Sequence, residues 1–251
     1  MSQMKLSCSA IAWGKVNDEE SFKKILRTIK DVGYEGVGIE YNLLPPTLMK
    51  DTEGVKRIAD SVGLSVPSMA ITENLASQGE AAAKMGAESG WLCLFEKDAN
   101  AAASLSKMLA KAFDDEGLKV AIHPHIRSNV ESEAQLDALM SACSPLPVAV
   151  CFDSAHQEDL GFNLSSFIKK YKDKIVLVHL KDLRSRVDPK KVDFDHDFVD
   201  LGEGVVDFGA VFKTLREVDY RGWLMVEVDF AHEETVEESV RKNFDYVTSF
   251  L

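Results

Sequence analysis

The chain has 251 residues, 45% hydrophobic and 28% charged, an ordinary globular balance that allows one large α/β barrel or two small domains. Its 41 acidic residues against 29 basic ones leave a formal charge of -12, which argues against nucleic acid or an anionic membrane as a partner. The opening SQMKLSCSAIAWG has no basic stretch followed by an apolar run, no segment is apolar for the depth of a bilayer, and Cys8, Cys93, Cys143 and Cys151 form no CxxC pair; a cytoplasmic protein with reduced, mostly buried thiols is expected.

Short β-branched runs alternate with longer amphipathic stretches along the whole chain. The predicted strands are Lys5–Ala12, Gly36–Glu40, Leu64–Ile71, Trp91–Phe95, Lys119–His123, Val148–Phe152, Ile175–Leu180 and Trp223–Val228. Between the first two, DEESFKKILRTIKDVG sets Phe22, Ile25, Leu26 and Ile29 at helical spacing and stops at Gly33. The stretches from Ala99 and from Asp207 follow the same pattern, whereas NLASQGEAAAKMGAESG predicts a weaker helix because a glycine sits in its middle. Pro145 and Pro147 stand just ahead of the sixth strand, where a missing amide donor does little harm.

Strand–helix alternation implies parallel strands joined by right-handed crossovers. Eight such units in a chain of this length predict a single-domain (β/α)8 TIM barrel over residues 1–251, a fold of roughly 250 residues. An open doubly wound sheet is the alternative, but no GxGxxG or GKS/GKT turn follows the first strand. The longest irregular stretch, Leu183–Gly204, follows the seventh strand and is expected to serve as a lid or binding loop.

In such a barrel the C-terminal strand ends converge on one face. The last three strands close on polar groups there: Asp153 and His156 in VAVCFDSAH, His179, Lys181 and Asp182 in IVLVHLKD, and Glu227 in GWLMVEVD. An isolated Asp in such a place is usually a cap or turn former, and an isolated His a hydrogen-bonded structural group. On consecutive strand ends they point instead to one shared site, whose mixture of carboxylate and neutral imidazole suits a hard or borderline divalent cation. The fifth strand adds KVAIHPHIRSNVES, in which His123 and His125 share a face by their spacing of two, although Pro124 marks the strand's end. The competing reading is a surface turn whose histidines bond to backbone. Neither GxSxG nor a Cys beside a His occurs in the chain. Trp13 after the first strand could wall a sugar or cyclitol ring or simply pack. Glu40 could hold substrate hydroxyls or pair with Lys181, and Lys181 could neutralise an oxyanion or form a rim ion pair.

GYEGVGIE at strand two, CFDSAH at strand six, VHLKD at strand seven and LGEGVVDFGAVFKTLREVDYRGWLMVEVD through strand eight together resemble the xylose-isomerase-like TIM barrels. That group of sugar phosphate isomerases/epimerases includes ketose 3-epimerases, hydroxypyruvate isomerases and inosose dehydratases. The resemblance implies a metal held by Asp153, His179 and Glu227, with His156 touching substrate or metal. Where epimerases of the family carry a fourth ligand, a Glu ending strand five, this chain has His123, so the fourth ligand is expected to be His123 or Glu131. HPH at this place and AIAWG around Trp13 resemble inosose dehydratases.

The implied activity is divalent-metal-dependent enolisation of a polyhydroxy keto compound followed by loss of water. Mn2+ is the first choice of ion, with Co2+, Mg2+ and Zn2+ as alternatives. Glu227 is the expected base, His125 or His123 the acid and Lys181 the oxyanion partner, with Trp13, Glu40, His156 and Arg184 lining the substrate. An isomerase or epimerase using the same enediolate, or a non-catalytic sugar-binding barrel, are the alternatives. A dimer or tetramer is the expected assembly.

Overall fold

In the computed structural model, which describes residues 4–72, 75–95, 103–107, 109–111, 117–146, 148–229 and 235–251, a ring of parallel strands closes in sequence order, the last strand pairing with the first. The strands are β1 (Lys5–Ser9), β2 (Gly36–Glu40), β3 (Ser65–Ala70), β4 (Ser89–Leu92), β5 (Lys119–Ile122), β6 (Val148–Asp153), β7 (Ile175–Leu180) and β8 (Trp223–Val226). This is the expected (β/α)8 barrel. Strands flanked by helices outside and by packed side chains inside are covered on both faces, which is why β6 reads VAVCFD and is buried at every position.

The helices form the outer layer. Glu19–Val32 begins where the Asp18 side chain accepts from the Ser21 N–H, buries Phe22, Leu26, Ile29 and Val32 on one stripe, and ends at Gly33. That glycine has φ +126°, a conformation costly for other residues. The helix from Asp207 spans Phe208–Glu217, capped by the Asp207 carboxylate at the Ala210 N–H. The weaker prediction also forms a helix, Leu75–Lys84. Part of the stretch from Ala99, and Pro147, lie outside the described residues.

Five strands are shorter than the runs predicted for them, β1, β3, β4, β5 and β8, and β4 also begins two residues earlier, at Ser89. β1 stops at Ser9, because the Ser9 hydroxyl accepts from the Ile11 N–H and turns the chain into a 3-10 helix over Ala10–Trp13. β8 stops at Val226, although the Glu227 N–H still reaches the Leu180 carbonyl at 3.1 Å. The register then sets the site: Asp153 pairs across from His179 in β6–β7, and Met225 pairs across from His179 in β7–β8. Residues that close consecutive strands therefore stand at one level of the ring.

The irregular stretch after β7 is tied at both ends. Asp182–Leu183 forms a short antiparallel ladder with Phe198–Val199. The buried Asp182 carboxylate accepts from the N–H groups of Leu183, Gly202, Gly204 and Val206 at 2.9, 3.0, 3.0 and 3.1 Å. Gly204 lies so close that a β-carbon there would collide with the Leu183 carbonyl and the Asp182 carboxylate, which accounts for the second glycine of the GEG turn. No helix among the described residues is long and apolar enough to cross a membrane.

Candidate active site

Asp153 performs two tasks at the end of β6. Its Oδ1 accepts from the Ala155 and His156 N–H groups at 2.9 and 2.8 Å, capping the following helix, while Oδ2 faces His123 Nε2 at 3.3 Å and His179 Nδ1 at 3.7 Å. His179 Nδ1 lies 3.0 Å from Glu227 Oε2, and Glu227 Oε1 accepts from Lys181 Nζ at 3.0 Å. One ligand atom from each of Asp153, His179 and Glu227 falls within 4.8 Å of the others, and His123, Asp153 and His156 form an overlapping group on the same terms. Asp153 and His179 have no exposed surface.

Many polar atoms of this cluster lack a hydrogen-bond partner: Asp153 Oδ2, Glu227 Oε2, His123 Nε2 and both ring nitrogens of His156 and of His179. Buried polar atoms are nearly always satisfied, because each orphan loses its water without replacement. Such a concentration around one point fits a ligand that accepts several lone pairs at once, and a divalent cation does so with this donor set.

The electrostatics make the same demand. Burial alone would raise the Glu227 carboxyl, but Lys181 and His179 outweigh it and hold the group well below the ordinary carboxylate range. Burial likewise opposes ionisation of Asp153, yet His156, His123 and His179 keep it ionised. Burial works against a charged His179, while Cys151, Glu227 and Asp153 draw its value well above that of a free imidazole. A proton on His179 thus answers the same negative potential that a metal would.

Above this cluster opens a cavity of about 730 Å³ lined by Trp13, Trp91, His123, His125, Lys181, Phe194, Glu227 and Asp229 among others. Trp13, His123, His125, Lys181 and Glu227 thus reach the chamber as expected, and His156 lies against it, its ring centroid 3.8 Å from that of His125.

Other expectations require correction. Glu131 belongs to none of the ligand groups; its carboxylate is taken by the Arg127 N–H at 2.5 Å, inside the turn that Arg127 makes with φ +63°. His123 is therefore the strand-five residue beside the cluster. Arg184 is exposed and absent from the cavity wall; its N–H serves the Asp197 carbonyl instead. Glu40 is not among the residues that line the main chamber but lines a small adjoining cleft, which shares Gly14 and Leu43 with it. Burial, and then Glu227, push its carboxyl up to about 8. His125 is unsuited to be an acid. Its Nδ1 donates to the Ile126 carbonyl at 2.6 Å, leaving Nε2 as an acceptor, and burial lowers its value to about 3.

The sequence reading also missed two residues. Asp229 pairs with Lys181 at the wall, and its signal was the spacing of two from Glu227 in VEVD. Cys93, past the end of β4, places Sγ 3.4 Å from His123 Nδ1, a contact that the pairing of β4 with β5 creates.

Residues 87–248, more than half of the chain, match the family model for the xylose isomerase-like TIM barrel. The chain belongs to the xylose isomerase-like TIM barrel family. A curated relative, the inosose dehydratase of Clostridium botulinum (strain Alaska E43 / Type E3), is 34% identical over 143 residues, which are 53% of this chain and 48% of the relative. The inosose dehydratase of Clostridium beijerinckii is 33% identical over 130 residues, 48% of this chain and 44% of the relative. The chain thus spans about half the length of the curated relatives it matches. Among solved structures, the IOLI protein with a bound zinc atom superposes at a TM-score of 0.80 over 98% of both chains with 17% identity, a likeness of fold.

Proposed function

We propose that this barrel is a divalent-metal-dependent lyase that enolises a polyhydroxy keto compound and expels water from it. The observation that carries the reading is the meeting of Asp153, His179 and Glu227, buried and with unsatisfied ligand atoms, beside a cavity whose wall Glu227 reaches. The local identity to inosose dehydratases supports the same chemistry. Asp153, His179 and Glu227 would hold the ion, with His123 or His156 beside them. When bound, it would polarise a ketone as a Lewis acid.

The residues of the chain supply the rest. Glu227 is an ionised carboxylate pinned by Lys181, so it accepts the proton from the carbon next to the ketone. Lys181 stays cationic because Asp229 and Glu227 outweigh the cost of its burial, and it offsets negative charge on the enolate oxygen. His125 and His123 are both held below the ordinary imidazole value by burial. The proton that Glu227 has taken is therefore the one at hand for the departing hydroxyl. With an imidazole rather than a second carboxylate from the fifth strand end, the site has one clear carboxylate base, which favours elimination over inversion of a centre.

The test is incubation of metal-loaded protein with a keto-inositol, followed by mass and ultraviolet absorbance. Loss of water with a new enone band is expected, and Glu227→Gln should abolish turnover while part of the metal stays bound. A product of unchanged mass would turn the reading to an isomerase, and full activity in Glu227→Gln would end the base assignment.

A further inference from the structure

The cavity is larger and more apolar than a single polyol ring requires. Its volume of about 730 Å³ lies in the range of roughly 300–1,000 Å³ that encloses drug-sized ligands. His123, His125, Lys181, Glu227 and Asp229 supply the charged and imidazole part of the lining, whereas Trp13, Leu43, Ile71, Trp91, Phe95 and Phe194 make up much of the rest. A ring bearing hydroxyls on every carbon would lose water against those side chains and find few hydrogen bonds in return.

The aromatic part of the wall is also built in place. His125 stacks on Phe194 with ring planes 8° apart and centroids 6.0 Å apart, and Phe95 meets His125 edge-on at 5.9 Å. Arg127 fixes the far side of this row. Its guanidinium lies 5.2 Å from the Phe194 ring and donates to the carbonyls of Pro189, Lys190 and Val192 at 3.1, 3.2 and 2.5 Å. Phe95 is 62% exposed, a large ring that His125 covers only in part.

We infer that the substrate is a keto-polyol joined to a planar apolar group, of the aryl glycoside kind. The hydroxylated ring lies beside Lys181 and Glu227, and the aryl group lies along the row of Phe95, His125 and Phe194. This rests on the proposed function, which places the ketone over Glu227. Flat rings satisfy such a wall by offset or edge-to-face contact and by removal of apolar area from water.

Two probes that differ only in the apolar group decide it: the phenyl and the methyl glucosides oxidised to the ketone at carbon 4, where the hydroxyl at carbon 2 stands ready to leave as water, titrated into the Mn2+-loaded protein by calorimetry. The phenyl compound is expected to bind about tenfold tighter or more. Phe194→Ala should bring that ratio close to one. Phe95→Ala provides the same readout on an exposed residue if Phe194→Ala fails to fold. Equal affinity of the two glucosides for the wild-type protein overturns the inference and leaves the proposed function standing. So does binding of a keto-inositol with neither glucoside bound. Metal-dependent binding of none of the three compounds overturns the function and the inference with it.

Discussion

Lys181 Nζ lies 3.0 Å from Glu227 Oε1, and the Asp229 carboxylate closes on the same ammonium from two residues further along. One buried cation thus joins the end of β7 to the segment that carries the proposed base. Lys181→Met leaves two carboxylates facing each other without a counter-charge. Removing one member of a buried pair costs about 3–5 kcal/mol, and a loss of that order is expected in urea unfolding. Asp229→Asn in the same background should restore part of it. A single variant as stable as the wild type would show that the pair contributes nothing.

Metal binding is predicted to strengthen as pH rises through neutrality. His179 has its value raised in the metal-free protein, so the proton it holds must leave before the nitrogen can ligate. The stability that this proton lends the metal-free fold is present below the ordinary imidazole value and is lost as pH rises through the raised one. The rise in Tm on adding Mn2+ should accordingly be larger at pH 8 than at pH 6. Asp153→Asn and His179→Gln should each weaken the metal at least tenfold by direct titration. A Tm response that is flat with pH in the wild type would contradict His179 as a ligand.

Glu40 introduces a second pH dependence, read on the metal-free protein. Its value is raised from 4.5 to about 8, so the fold favours the protonated acid. That contribution is complete below the unfolded value and declines as pH rises through about 8. Glu40→Gln keeps the shape without the charge, and its Tm should gain on the wild type between pH 5 and pH 8.5. Parallel profiles for the two proteins would rule out a carboxyl held neutral at this place.

Gly204→Ala tests the anchor of the loop. The added methyl meets the backbone carbonyl of Leu183 and the carboxylate of Asp182, neither of which can swing aside as a flexible side chain would. A loss of about 1–3 kcal/mol is expected for such overpacking. Activity should fall with it, because Asp182 adjoins Lys181. An alanine variant with normal stability would mean that the turn has room to relax.

Much of the architecture was legible because periodicity and strand length speak directly about burial. β2 and β7 have the bounds predicted for them, and the strand ends that carry Asp153, His179 and Glu227 do converge. What failed was local. Ser9 captures a backbone N–H and ends β1 early, an event of one hydroxyl that an apolar run does not register. Glu131 looks like a ligand on paper, but the turn at Arg127 offers it a nearer donor. Arg184 suffers the same uncertainty, since a residue in an irregular loop has no period from which to read its direction. Cys93 meets His123 only through the pairing of β4 with β5, so no window of the sequence holds both.

The loop after β7 begins and returns at a single carboxylate, that of Asp182, while its middle is held from across the barrel mouth by Arg127. Positions between those fastenings can therefore change identity or number with little disturbance to Lys181, which sits before the first of them. Such a layout separates a stretch free to vary from the buried cluster beside it, and lets selection tune one while the other stays in place.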